Sequence, residues 1–191
     1  MENKEVRKIS SSLSFDSDGR TVEGYAAVFE SPSEDLGFIE IIHRGAITED
    51  TIKRSDVLAK FNHEDSKVLA RSKQGSGSLL LEVDERGLHY LFEAPKTALG
   101  DELLEHIQRR DIDSSSFAFT VSREEGSEKW SKRNGVIYRD IYSIDKLWDI
   151  SPVWTPAYAA TECSARFLEV QKSSDEVDGI MNLLKEEIDK L

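Results

Sequence analysis

The chain has 191 residues, a formal net charge of -12 at pH 7 and a single cysteine, Cys163. This length suits one domain of ordinary size, large enough to bury roughly two-thirds of the surface that the unfolded chain exposes. The acidic balance argues against a general affinity for nucleic acid or anionic membranes, and one cysteine excludes both an intramolecular disulfide and a thiolate zinc site. We therefore expect no metal, no cofactor and a reducing compartment.

The first five residues are polar and mixed in charge, unlike the apolar core of a secretory signal. No apolar run approaches the ~20 residues that cross a bilayer as a helix. We expect a protein with no membrane partner.

The N-terminal third has the composition of strands with one short helix. Residues 6–30 predict two strands around a turn at 16–19, because β-branched and aromatic residues flank a cluster of turn formers. Residues 38–43 and 57–63 are apolar, strand-like stretches. Between them, Thr48 is placed to cap a short helix.

The central third predicts a hairpin followed by a helix. Apolar runs at 79–83 and 88–92 flank the turn formers of 84–87. Thr97 then precedes apolar residues at helical spacing, which predicts an amphipathic helix to about residue 110.

Strand-like patterns return at 114–121 and 136–153, and the charged segment 126–134 predicts an exposed loop. The elements together predict an α+β, β-rich domain covering 1–166. Residues 167–191 have a helical pattern instead, since Ser173 begins a capping box and apolar residues fall on one helical face. This acidic C-terminal amphipathic helix is expected to pack on the domain or to serve as a partner-binding or removable tail.

Three adjacent serines, Ser114, Ser115 and Ser116, open the strand at 114–121. Alternation along a strand places Phe117 and Phe119 on one face and Ser116 with Ala118 on the other. Ser116 therefore faces away from the aromatic pair, as a nucleophile needs to, although ordinary serines on a polar strand face fit the same pattern.

A base and an acid lie on two other strand-like stretches. His63 follows an apolar strand, where it suits either a surface position or a catalytic base. Asp149 lies within an apolar strand, where an unpaired carboxylate is costly, so it needs a partner such as a histidine, an arginine or backbone amides. Asp145 is the nearby alternative acid. Such residues form a serine-nucleophile triad only when the fold brings them together.

Read together, these segments resemble the HK97-type prohead serine proteases of tailed bacteriophages. The resemblance covers residues 6–166 and rests on the order and spacing of several short motifs. They are Gly24-Tyr25-Ala26-Ala27-Val28-Phe29, Arg44-Gly45-Ala46, Phe61-Asn62-His63, Val68-Leu69-Ala70-Arg71, residues 79–88, Ser116-Phe117-Ala118-Phe119, and Asp149-Ile150-Ser151-Pro152-Val153-Trp154-Thr155-Pro156-Ala157-Tyr158.

The resemblance implies a herpesvirus-assemblin-like fold, mainly an antiparallel β-barrel flanked by helices, and serine endopeptidase activity. By family position His63 matches the base, Ser116 the nucleophile and Asp149 the acid. Arg71 is a candidate oxyanion donor. Glycines common around the family's nucleophile are replaced here by Asp111, Ser114 and Ala118, which keeps Ser114 and Ser115 as alternatives.

The implied substrate is the major capsid protein or its scaffold segment, with self-cleavage and contact with the portal as further expectations. The implied place of action is the assembling prohead in the bacterial cytoplasm, and a homo-oligomer is compatible with this role. A non-catalytic capsid-assembly or scaffolding module that keeps the protease fold is the alternative function. An unrelated β-rich domain with a coincidental triad is a third hypothesis.

Overall fold

The computed structural model describes residues 4–9, 13–15 and 19–154. Its thirteen strands and two helices follow one another in the order β1 (Glu5–Ile9), β2 (Ser14–Phe15), β3 (Thr21–Val28), β4 (Ile39–Ile42), α1 (Glu49–Lys53), β5 (Asp56–Lys60), β6 (Val68–Lys73), β7 (Ser76–Gly77), β8 (Leu79–Val83), β9 (Gly87–Glu93), α2 (Ala98–Gln108), β10 (Ser114–Val121), β11 (Glu128–Arg133), β12 (Val136–Ile141) and β13 (Ile144–Val153). The β-rich prediction is confirmed.

The described strands form three sheets rather than the single closed barrel that the family resemblance implied. The largest sheet has six strands in the order β1-β10-β13-β5-β6-β7, the second has the order β2-β3-β9-β8, and the third has the order β11-β12-β4. Most neighbours are antiparallel, but β13 runs parallel to β5 and β12 parallel to β4. The predicted C-terminal helix and Cys163 lie outside the described residues, so the boundary near residue 166 stays a prediction.

Several local predictions are confirmed. The segments at 79–83 and 88–92 form the antiparallel hairpin β8–β9, with Leu79 opposite Phe92. The side chain of Thr97 caps α2 by accepting a hydrogen bond from the amide of Gly100. Thr48 caps α1, where the side chain of Thr51 completes a capping box. These signals succeed because each arises from contacts between residues close in the chain.

The N-terminal pattern splits between two sheets. β2 pairs with β3 as the predicted hairpin requires, with Ser14 opposite Glu23. β1 instead becomes the edge strand beside β10, with Lys8 opposite Ser116. A strand beside β10 is needed because all eight positions of β10 are buried, and its backbone groups must find partners on both sides.

The predicted loop at 126–134 is wrong over most of its length, because Glu128–Arg133 forms β11 and pairs with β12. Asn134 and Gly135 connect the two strands with φ of 52° and 85°, the left-handed conformation of a two-residue hairpin turn. Trp130 on β11 packs edge-on against Phe38, with ring centroids 4.9 Å apart. The charge of the segment is typical of a solvated strand as well as of a loop.

The hydrophobic core supports one face of β10. Phe117 and Phe119 are fully buried and their rings stack with centroids 4.8 Å apart. Ile150 of β13 lies opposite Phe117 and belongs to the same core. The other face of this strand pair therefore carries Ser116 and Asp149. Within the described ranges, no helix is long and apolar enough to cross a membrane.

Candidate active site

Register places the nucleophile and acid candidates on adjacent strands. Ser116 of β10 lies opposite Ser151 of β13, and Ala118 lies opposite Asp149. Residues directly opposite one another in an antiparallel pair point to the same face of the sheet. Ser116, Asp149 and Ser151 therefore share the face away from the phenylalanine pair.

His63 reaches this face through a turn at the end of β5. Asn62 and His63 have φ values of 50° and 61°, two consecutive left-handed residues without glycine. This uncommon conformation bends the chain sharply, and the amide of Asn62 donates to the carbonyl of Pro152 at 3.1 Å. Since β5 lies beside β13, the turn brings the imidazole over the neighbouring strands.

The three candidate residues form a continuous chain of contacts. His63 Nε2 lies 2.6 Å from Ser116 Oγ, and His63 Nδ1 lies 2.5 Å from Asp149 Oδ1. Both separations are hydrogen-bond distances, the geometry in which a base can take a hydroxyl proton while an acid orients the base. The side chain of His63 is 26% exposed, whereas Asp149 is 1% exposed.

Ser116 has a second hydrogen-bond acceptor within reach. Its hydroxyl lies 2.8 Å from the backbone carbonyl of Arg7 on β1, and the residue is only 3% exposed. A serine hydroxyl has one hydrogen, so it can donate to His63 or to this carbonyl but not to both at once. The arrangement suited to attack is the one in which the hydrogen lies toward His63 and Nδ1–H donates to Asp149.

Asp149 is held by four side chains. Besides His63, the hydroxyl of Ser151 donates to Oδ1 at 3.3 Å, and the ammonium groups of Lys4 and Lys60 lie 2.6 Å and 3.5 Å from Oδ2. Burial by itself raises the pKa of the Asp149 carboxyl, but hydrogen bonds from His63 and Lys4, with the attraction of their charges, outweigh burial and hold the pKa well below its usual range. Asp149 is therefore an anion at neutral pH.

The two alternative serines have hydrogen-bond partners other than His63. The hydroxyl of Ser115 lies 2.7 Å from that of buried Tyr90, and the hydroxyl of Ser114 donates to Asp113 at 2.7 Å. Asp145 offers its backbone carbonyl to Arg54 at 2.9 Å. Among the three serines, Ser116 is the one in contact with His63.

Arg71 makes an exposed ion pair with Asp56. Its Nε and Nη2 donate to the two carboxylate oxygens at 2.7 and 2.5 Å, and this pairing raises the pKa of Arg71 and lowers that of Asp56. The guanidinium is thus directed at Asp56, and a role as oxyanion donor stays a prediction.

Sequence reasoning missed Lys4, Lys60 and Ser151. Ser151 follows Asp149 by two positions on a strand, which places it on the same face, so alternation could have identified it. Lys60 was detectable as a charged residue at the end of an apolar strand, three positions before His63. Lys4 lies 145 residues from Asp149, and no local pattern predicts that contact. Within the described part of the chain, no cluster of three or more His, Cys, Asp or Glu side chains is arranged to hold a metal ion.

Comparisons with known proteins place this geometry in context. A family model described as "Caudovirus prohead serine protease" matches residues 5–176. Among solved structures, the capsid assembly protease of bacteriophage T4 is similar with a TM-score of 0.54 and 12% sequence identity, over 80% of this chain and 99% of that one. At this identity the likeness concerns the fold alone. The comparison with curated proteins finds no match.

Proposed function

Because the chain belongs to the caudovirus prohead serine protease family, we propose that it is a serine endopeptidase that cleaves capsid or scaffold segments during maturation of a phage prohead, with Ser116, His63 and Asp149 as its catalytic residues. The observation that carries this assignment is the unbroken contact chain from Ser116 through His63 to Asp149. Self-cleavage, contact with the portal and action inside the prohead in the host cell belong to the same proposal.

The proposed mechanism begins with Ser116 Oγ attacking the carbonyl carbon of the scissile peptide bond while His63 Nε2 takes the hydroxyl proton. Asp149 accepts the hydrogen bond from Nδ1 and stabilises the resulting imidazolium. His63 then gives its proton to the departing amine as the C–N bond breaks, which leaves an acyl-enzyme on Ser116. A water molecule deprotonated by His63 attacks that ester, and the proton returns to Ser116 as the acid product leaves.

Co-expression of the chain with the major capsid protein of its phage tests this function. Intact-mass spectrometry should detect trimmed capsid protein with the wild type and none with Ser116→Ala. Ser114→Ala is the matched control, because that hydroxyl donates to Asp113 and not to His63. It should trim like the wild type. Trimming by Ser116→Ala at the wild-type rate would remove Ser116 from the role.

The second candidate function is the non-catalytic assembly module. The observation favouring it is the near-complete burial of Ser116 under the Arg7 carbonyl, which leaves little room for a peptide. The same co-expression distinguishes the two functions. A capsid protein that the wild-type chain never trims, in particles that nevertheless fail to assemble without the chain, would support the module.

A further inference from the structure

Lys60 is a buried cation beside the proposed catalytic acid. Its side chain is 7% exposed, and the ammonium lies 2.6 Å from Asp65 Oδ1 and 3.5 Å from Asp149 Oδ2. Burial lowers the pKa of Lys60, but the hydrogen bond to Asp65 and the attraction of Asp149 and Asp65 outweigh it, so the pKa is raised and the group stays charged. A lysine is rarely buried in a protein unless it is paired with an opposite charge.

The two oxygens of Asp149 have different partners. Oδ1 faces His63 and the hydroxyl of Ser151, whereas Oδ2 faces the two lysines. A carboxylate anchored through one oxygen cannot rotate freely, so the other oxygen keeps its place beside Nδ1. Anchoring the acid in this way maintains the tautomer of His63 that accepts the serine proton.

Lys4 makes the shorter contact with Oδ2, at 2.6 Å against 3.5 Å for Lys60, but the two lysines differ in their exposure to solvent. The side chain of Lys4 is 41% exposed and approaches from just before β1, so solvent weakens its ion pair. Lys60 belongs to β5, the strand whose end turns into His63, and it is shielded from water. Its position thus links the acid to the strand that carries the base.

Resting on the proposed function, we infer that Lys60 is a positioning residue, which holds Asp149 Oδ2 so that Oδ1 remains aligned with His63. It does not touch the reacting atoms. The charged and polar side chains in contact with Asp149 are Lys60 from β5, His63 from the following turn, Ser151 from β13, and Lys4 from the N-terminal segment, and Asp65 is joined to this group through its ion pair with Lys60.

The test measures trimming of purified precursor capsid protein by an excess of the purified full chain, from pH 5 to pH 9. Lys60→Met keeps most of the side-chain volume and removes the charge. We expect the saturating rate to fall about 10- to 100-fold, less than the loss expected when the acid itself is changed. The acid limb of the rate profile should move up by about one pH unit, because losing a nearby cation favours the protonated base.

Three further variants separate positioning from structure. Lys60→Arg should recover most of the rate and the wild-type pH profile. Asp65→Asn removes the other partner of Lys60 and should lower the rate by less than Lys60→Met does, whereas Lys53→Gln changes an exposed lysine paired with Glu49 and should change nothing. Thermal melting shows that each variant is folded at the assay temperature.

The outcomes distinguish the inference from the function on which it rests. A wild type that trims through Ser116, together with a Lys60→Met variant of equal rate and unchanged pH profile, would overturn the positioning role and leave the function standing. If Lys60→Met does not fold, the profile of Lys60→Arg decides, since a guanidinium that fails to restore both rate and profile contradicts the role. A wild type that trims nothing overturns both.

Discussion

Two buried polar clusters of this molecule each contain side chains from the same N-terminal segment. The nucleophile cluster consists of Lys4, Lys60, His63, Ser116 and Asp149. The arginine cluster consists of Glu5, Arg7, Glu40, Glu128 and Arg139. Both bury charge at a cost that must be offset by paired partners.

The clusters differ in the chemistry of the groups that meet the buried acids. In the arginine cluster each cation is a guanidinium. Arg139 makes ion pairs with all three acids. Burial lowers the pKa of Arg139, but the hydrogen bonds and charges of the acids outweigh burial and raise it. The nucleophile cluster contains an imidazole that is partly open to solvent. Buried charge alone therefore does not indicate catalysis, and the proposed catalytic role depends on the contacts that join a buried acid, a partly exposed histidine and a serine hydroxyl.

Replacing the acid should break the nucleophile cluster most severely. Asp149→Asn keeps the shape of the side chain but removes the charge that orients His63, and we expect trimming to slow by about three to four orders of magnitude. The measurement is the trimming rate, with Asp145→Asn as the control because Asp145 is the alternative acid on the same strand. Equal loss in both variants would contradict the assignment of the acid.

Removing one arginine should affect folding rather than chemistry. Arg139→Met leaves Glu5, Glu40 and Glu128 with fewer positive partners, and we expect the free energy of unfolding to fall by about 3–5 kcal/mol in urea titration. The matched exposed pair is Arg71–Asp56, where Arg71→Met should cost far less stability because solvent screens the two charges. A similar cost for both variants would mean that burial does not distinguish the arginine cluster.

Acid titration should reveal the smaller contribution of Asp149 to stability. Its folded-state pKa lies below the unfolded value, so its contribution is present above about pH 4 and is lost as the pH falls through the folded value. Between pH 5 and pH 2, the wild type should lose about 1–2 kcal/mol more of its unfolding free energy than Asp149→Asn does. Parallel curves would show that the lysines and His63 do not stabilise the carboxylate in the folded state.

Predictions from sequence succeeded where the responsible contacts are local. The hairpin β8–β9, the Thr97 cap of α2 and the strand at 114–121 follow from turn chemistry, capping and alternation. Alternation also distinguishes Ser116 from Ser115, whose hydroxyl lies beside Tyr90. The strand β11 was missed because its charges resemble those of a loop, although Asn134-Gly135 is a strong hairpin signal.

By itself, the sequence determined the β-rich class, the hairpin β8–β9, the caps of the two helices and the face on which Ser116 lies, because these depend on residues a few positions apart. Only the tertiary structure decided that β1 pairs with β10, that the strands form three sheets, and that Lys4 and Lys60 hold the second oxygen of Asp149. Such contacts join residues up to 145 positions apart. These contacts form because charges and backbone groups that become buried when the sheets pack need partners. Which groups become buried depends on the whole fold, so no local sequence pattern predicts the contacts.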